Sequence, residues 1–187
     1  MSKGIIIFAQ NNEYVNYAET ACACAGLARK NLSLFDEICL ITNTETLEQN
    51  ETLINEYFDR IIVTNSFQPD NRRLFKDTTD KTEYASFKNM SRSEVYELSP
   101  YDETLVIDGD YFIMNDVLDQ VWNSENDLMI NCHYRDVSGR HKEHIEYIDN
   151  FSIPMYWATV VYFKKSDFAE NLFTLISHIK YNYKYYY

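Results

Sequence analysis

Short apolar runs and longer helical patterns alternate along the first third of the chain. Residues 3–9 carry an uninterrupted apolar run rich in isoleucine, which is typical of a strand buried on both faces of a parallel sheet. Residues 13–30 suit a helix that would lie close on that sheet through a stripe of small residues, namely Ala18, Ala21, Cys22, Ala25 and Ala28. Strands are predicted at 37–43 and 59–64, with a helix at 47–57 between them. The alternation predicts an α/β sheet with right-handed crossovers.

The pattern changes in the middle of the chain. Between residues 65 and 81 the hydrophobic periodicity vanishes, and four basic residues gather in an otherwise acidic sequence: Arg72, Arg73, Lys76 and Lys81. We predict a long loop here, which is either a substrate-side segment or a solvated surface loop. Helical spacing resumes at Tyr84 and continues to Leu98, where Ser99-Pro100 ends it.

A hydrophobic strand at 103–113 follows and contains two acidic residues separated by glycine. The last third of the chain predicts a helix from Asn115 or Asp116 to Trp122, strands at 127–132 and 158–163, and a final helix that is opened by Ser166 or Asp167 and carries Phe168, Leu172, Leu175, Ile176 and Ile179 on one face.

Composition and charge narrow the class of protein. The length of 187 residues corresponds to about one domain, and 45% apolar with 25% charged residues is an ordinary globular balance. No apolar run approaches the ~20 residues of a membrane helix, so we expect no membrane insertion and a cytoplasmic location. The net charge of −12 disfavours nucleic acid as a partner. The four cysteines show no CxxC spacing and are expected to be free thiols: Cys22, Cys24, Cys39 and Cys132.

The candidate chemistry lies in Asp108-Gly109-Asp110. Open α/β sheets bind ligands beyond the carboxyl ends of their strands, and Gly109 would allow a turn that brings both carboxylates to one site. Carboxylate oxygens suit Mg²⁺ or Mn²⁺, which would bridge the phosphates of a nucleotide. The alternative is a solvated turn after the strand.

The residues around this motif resemble a known family. The segment from Pro100 to Asp110, followed by Ile113 and Asn115-Asp116, looks like the DxD segment of GT-A-fold glycosyltransferases, particularly the glycogenin-like family 8 type. The resemblance covers about residues 3–165. It implies a GT-A-like, Rossmann-like and mostly parallel sheet flanked by helices. It also implies metal-dependent transfer of a sugar from a nucleotide diphosphate sugar to an unknown acceptor.

The resemblance assigns roles to individual positions. Asp108 and Asp110 would be the ligands of Mn²⁺ or Mg²⁺. The donor-binding positions would be Ala9, Gln10, Thr42, Asn43, Lys88, Asp108, Gly109 and Trp157. Lys88 is equally well explained as an exposed lysine beside Arg92, and Trp157 either stacks on a sugar face or packs in the core. Charge on the departing diphosphate would be stabilised by some of Arg72, Arg73, Lys81 and Lys88.

The sequence departs from the family in two ways. The late motif with a histidine as third metal ligand is absent, and the chain is shorter than a usual catalytic unit. We expect a single domain over 1–187, truncated at its C-terminus or minimal, with a nucleotide-binding part at about 1–116 and an acceptor-side part at about 117–187. The oligomeric state is left open, a homo-oligomer included.

Two rival functions come from other classes. A noncatalytic binding or assembly protein built on the GT-A scaffold would use the aromatic surplus as an interaction surface. A haloacid-dehalogenase-like phosphatase also places DxD after a strand, but its motif normally lies near the start of the chain and has a small hydroxyl or β-branched residue where Phe112 stands.

Overall fold

The computed structural model describes residues 1–64, 72–76, 82–86, 90–132, 156–182 and 185, with the backbone alone at 72–76, 82–86 and 90–91. Its strands are β1 Lys3–Phe8, β2 Glu37–Thr42, β3 Arg60–Val63, β4 Arg72–Lys76, β5 Thr82–Ser86, β6 Glu103–Asp108, β7 Leu128–Asn131 and β8 Trp157–Lys164. The α-helices are α1 Tyr17–Asn31, α2 Thr44–Tyr57, α3 Val95–Leu98 and α4 Asp167–Tyr181, and two 3₁₀ helices span Met90–Glu94 and Val117–Asn123.

Six of the strands form one sheet in the order β3-β2-β1-β6-β8-β7. The neighbours β3, β2, β1 and β6 are parallel, whereas β8 runs antiparallel to both β6 and β7. The predicted α/β architecture with a mostly parallel sheet flanked by helices is therefore confirmed. The antiparallel β8 brings its own first residues to the edge where the parallel strands end.

The core fills both faces of the sheet. Ile5, Ile6 and Ile7 of β1 are completely buried, as the continuous apolar run predicted. One face packs against the α1 stripe, whose five small residues are all buried as predicted. The opposite face packs against Val95 of α3 and Phe173 of α4.

Side-chain caps set the starts of α1 and α2. The helix predicted from residue 13 begins at Tyr17, because Asn12 Oδ1 accepts hydrogen bonds from the backbone of Tyr14 and Val15 and holds them in a turn. Asn16 then caps α1 by accepting from the backbone N–H of Glu19 at 3.4 Å. Asn43 caps α2 in the same way.

The prediction for residues 65–98 was wrong in two places. Residues 72–76 of the expected loop form the strand β4, and residues 84–86 of the expected helix lie in the strand β5, which pairs antiparallel with β4 outside the main sheet. An antiparallel pair is stabilised by cross-strand neighbours, which a pattern read along one segment does not record. Of the rest of the expected helix, the described residues form the 3₁₀ helix Met90–Glu94 followed by α3.

Two further elements differ in detail from their predictions. The helix expected from Asn115 or Asp116 is the 3₁₀ helix Val117–Asn123, in front of which Asn115 Oδ1 accepts from the backbone of Val117 at 3.2 Å. In α4 the residues buried against the sheet are Ala169 and Phe173, while much of the predicted apolar face is exposed.

The expected free thiols are confirmed. Cys22, Cys24 and Cys39 are free and buried, and Cys132 is free and half-buried. Among the described helices, none combines the length and the apolar character needed to cross a bilayer.

Candidate functional site

The candidate site lies at the edge of the sheet where the parallel strands end. The ends of β1 and β2 are joined there, because the backbone N–H of Ala9 donates to the carbonyl of Ile41 at 3.1 Å. The end of β6 lies beside β1, since Phe8 is the register partner of Asp108. The first residues of β8 complete the edge on the other side of β6.

Asp108 is the last residue of β6 and begins a turn. The backbone N–H of Tyr111 donates to the carbonyl of Asp108 at 3.0 Å, which places Gly109 and Asp110 in the two central positions. The φ of Gly109 is outside the left-handed region, and an added Cβ would stand 3.4 Å from the Cβ of Ala21. The turn therefore packs directly against α1 and needs no unusual backbone conformation.

Arg92 holds the Asp108 carboxylate. One guanidinium nitrogen, Nη1, donates to Asp108 Oδ1, and the other, Nη2, donates to the backbone carbonyl of Ala158 at the start of β8. The side chains of Arg92 and Asp108 are 21% and 27% exposed, so the ion pair is largely shielded from solvent. We call the segment Met90–Glu94, which carries Arg92, the Arg92 helix. It joins two strands of the edge through one side chain.

Opposing influences act on the pKa of the Asp108 carboxyl, and their net effect is to raise it. Burial raises the pKa of its carboxyl above the ordinary value, the nearby Arg92 opposes that rise, and Asp110 adds to it. Beneath the turn, the thiol of Cys24 donates to the Asp108 carbonyl at 3.7 Å. Burial, Asp110 and Asp108 raise the pKa of Cys24 to about 12, so this thiol stays protonated.

The donor set of the turn fits a hard divalent cation. The charge of Asp110 contributes to raising the pKa of Asp108, and a cation between the two carboxylates would relieve this repulsion. In the described ranges, no group of three or more His, Cys, Asp and Glu side chains is arranged to hold a metal. Two carboxylates are nevertheless a common protein contribution to Mg²⁺-type sites, where phosphates and waters complete the coordination.

The loop after β1 is fixed by α1 and α2. Asn11 accepts from the backbone of Ala18 at 3.0 Å, and its own N–H donates to Thr46 Oγ1 at 2.9 Å. The predicted donor positions Ala9 and Gln10 stand just before this anchor, buried and half-buried respectively. The two helix starts thus order the edge of the site next to β1.

The predicted positions on β2 have different surroundings. Thr42 ends the strand with a completely buried Oγ1 that meets no hydrogen-bond partner in the described part of the chain. Asn43 follows it and uses its Oδ1 to accept from the backbone of Thr46 at 2.9 Å. The structure therefore assigns Asn43 a helix-capping role.

Trp157 is the first residue of β8 and is 42% exposed. It precedes Ala158, whose carbonyl accepts from Arg92, so it stands at the same edge as the carboxylates. The pairing of β7 with β8 shifts register between Ile130 and Asn131, and Asn131 pairs with Trp157 beyond that shift. Such irregularities re-aim side chains at sheet edges.

The predicted basic residues are placed only in part. Arg72, Arg73 and Lys76 have their backbone in β4, whereas Lys81 and Lys88 lie outside the described residues. Of the four histidines in the sequence, His133, His141 and His144 also lie outside the described residues, and His178 lies in α4.

Sequence reasoning missed Arg92 as a site residue. In the sequence Arg92 is distinguished only as a neighbour of Lys88, and the helical pattern around it does not indicate which side of the helix Arg92 lies on. The available signal was its charge, because it is the only basic residue among the described residues between β5 and β6.

Comparisons with known proteins bear on the fold. No family model matches the sequence, and no curated protein is significantly similar to it. Among solved structures, the glycosyltransferase GlyE of Streptococcus pneumoniae TIGR4 matches with a TM-score of 0.51 and 13% identity over 98% of this chain. Mouse xyloside xylosyltransferase 1 matches with a TM-score of 0.53 and 11% identity over 96% of this chain. The chain has a GT-A-type fold.

This chain covers different shares of the two solved structures. The chain spans 40% of the length of GlyE and 71% of the length of the mouse enzyme. At this level of identity the comparison establishes the fold, and function is argued from the site itself.

Proposed function

We propose that this chain binds a nucleotide diphosphate sugar through a divalent metal ion and transfers the sugar to an acceptor that is still unidentified. The observation that carries the proposal is the placement of Asp108 and Asp110 directly at the end of the central strand β6. Open α/β sheets bind ligands at this edge. The GT-A-type fold, which is shared with glycosyltransferases, supports the same class of reaction.

Each edge residue has a defined task in this proposal. Asp108 and Asp110 hold the Mn²⁺ or Mg²⁺ ion, which when bound acts as a Lewis acid on the departing diphosphate. Arg92 provides positive charge at the same edge, where negative charge develops as the bond to the sugar breaks. Lys88, Arg72, Arg73 and Lys81 keep the supporting role that the sequence predicted for them.

The remaining positions bind the donor. Ala9, Gln10 and Thr42 border the nucleoside, on the part of the edge that is ordered by the starts of α1 and α2. Asn43 contributes mainly by fixing α2. Trp157, which is half-exposed beside Ala158, stacks on a sugar face.

Ligand-dependent thermal stability tests donor binding. Nucleotide diphosphates and their sugars are added singly to the protein with Mn²⁺ or with a chelator. A ligand at a hundred times its Kd adds ~2.7 kcal/mol to the free energy of unfolding, which raises the Tm of a chain of this length by about 5–10 °C. The shift should require metal. A panel without any metal-dependent shift contradicts the proposal.

A matched pair of variants locates the metal site. Asp110→Asn removes one proposed metal ligand and should abolish the metal-dependent shift while the fold is retained. Asp116→Asn makes the same change of charge at an exposed aspartate nearby and should keep the shift. Equal behaviour of the two variants would place the metal elsewhere.

Donor hydrolysis separates a transferase from a noncatalytic scaffold. A transferase releases sugar slowly to water when no acceptor is present, and this release should need Mn²⁺ and Asp110. Metal-dependent binding without any release over many hours identifies a GT-A-type binding protein instead.

A further inference from the structure

The position of Arg92 depends on contacts outside its own helix. The Arg92 helix is a single short 3₁₀ segment that leads directly into the four-residue helix α3. Such short helices gain little from their own hydrogen bonds and are held by tertiary packing. Contacts with other elements must therefore hold this segment against the edge of the sheet.

An ion pair joins the end of the Arg92 helix to α4. Lys180 Nζ stands 2.8 Å from Glu94 Oε1, and the two side chains are only 13% and 21% exposed. Lys180 lies in the last turn of α4, 86 residues from Glu94 along the chain. Removing one partner of an ion pair that is so well shielded from water lowers the free energy of unfolding considerably more than removing one partner of an exposed pair does.

Glu94 and Arg92 serve different sides of the same helix. In a 3₁₀ helix each residue turns the chain by about 120°, so two residues along the side chain points in a clearly different direction. Arg92 contacts Asp108 and Ala158 at the edge of the sheet, while Glu94 contacts α4. The helix is therefore clamped between α4 and the site.

The neighbouring aromatic cluster anchors α3, which follows the Arg92 helix directly. The ring of Tyr96 in α3 stacks on Phe173 at 5.5 Å and contacts Phe163 at 5.6 Å between centroids. These contacts fix the chain after Glu94. The ion pair between Glu94 and Lys180 is a polar link that joins α4 to the Arg92 helix itself.

We propose that Glu94 and Lys180 are positioning residues for Arg92, and that α4 thereby controls donor binding without touching the donor. The inference rests on the proposed function, in which Arg92 faces the diphosphate. It predicts that loss of the ion pair weakens nucleotide binding through a displaced Arg92.

Nucleotide affinity in a double-mutant cycle tests this inference. Lys180→Met should weaken binding of the best nucleotide diphosphate in Mn²⁺ by roughly 5-fold or more, a typical size for coupled residues. Lys180→Arg should restore the affinity, and Lys30→Met, the same change at an exposed lysine, should leave it unchanged. In an Arg92→Met background, Lys180→Met should change the affinity less than 2-fold while still lowering the Tm.

Two results would contradict the positioning role of Glu94 and Lys180. An unchanged affinity in Lys180→Met, or the same loss with and without Arg92, overturns the positioning role. If the wild-type chain binds no nucleotide, the proposed function fails and a second readout decides the inference. The heteronuclear NOE of the Arg92 Nε–H group should fall in Lys180→Met and recover in Lys180→Arg. An NOE that stays at the wild-type value contradicts the inference.

Discussion

The ion pair between Arg92 and Asp108 makes a quantitative prediction about stability. Arg92→Met leaves the Asp108 carboxylate, only 27% exposed, beside Asp110 without its cation. A hydrogen bond to a charged group contributes ~1.5–3 kcal/mol, and the remaining exposure places the expected loss at the lower end, about 1–2 kcal/mol. For a chain of this length that loss corresponds to a fall in Tm of roughly 2–8 °C.

A thermodynamic cycle isolates the interaction from other effects of the substitution. Arg92→Met, Asp108→Asn and the double variant are unfolded in urea with a chelator present, so that bound metal makes no contribution. The expected coupling energy is about 1–2 kcal/mol, within the range for residues in direct contact.

The pair Arg29–Asp59 supplies a matched control. It has the same residue types, a separation of 2.8 Å and side chains that are 40% and 37% exposed, and Arg29 likewise donates to a backbone carbonyl. Its coupling energy should be ~0.2–1 kcal/mol, as for other exposed pairs. The reasoning is refuted if the coupling of Arg92 with Asp108 does not exceed that of the control pair.

Three further predictions concern the rest of the fold. In the native protein a thiol reagent should label Cys132 first, and only unfolding should expose the buried thiols of Cys22, Cys24 and Cys39. Gly4→Ala should lower the free energy of unfolding by roughly 1–3 kcal/mol in urea titrations, because the added Cβ would lie 2.1 Å from Cε2 of buried Tyr101. Hydrogen bonds from Ser2 lower the pKa of Asp102, so the stability that Asp102→Ala removes should be present above pH 3.8 and vanish as the pH falls through the native pKa. Rapid labelling of all four thiols in the native protein would contradict the first prediction. A Gly4→Ala variant with an unchanged free energy of unfolding would contradict the second. A stability difference between wild type and Asp102→Ala that stays constant across that pH range would contradict the third.

The sheet was predictable where burial imposes a periodicity. The residues of β1 and the small-residue stripe of α1 face the core, so their pattern carries the architecture. The ribbon of β4 and β5 lies outside the sheet, and the Arg92 helix is too short for a period to emerge. The ribbon depends on cross-strand pairing, and the Arg92 helix is held by contacts with α4 and the sheet edge, none of which a local pattern records.

The candidate site was predictable to the same extent. Asp108 and Asp110 follow a buried strand, and their place at the sheet edge follows from that order. The pairing of Arg92 with Asp108 could not be predicted, because it depends on how the Arg92 helix is clamped against α4. The buried Oγ1 of Thr42 likewise depends on packing around the end of β2.

The position of the antiparallel strand β8 bears on when the contacts at this edge of the sheet form during folding. Strands β1, β2 and β3 are joined by single helices and can pair soon after they are synthesised, whereas Arg92 is separated from Ala158 by 66 residues. Closing a long loop has an entropic cost that delays such pairings. The complete guanidinium bridge, which spans Asp108 and Ala158, requires β8 to be paired with β6. In a nascent or refolding chain, we therefore expect this bridge to form after β1, β2 and β3 have paired.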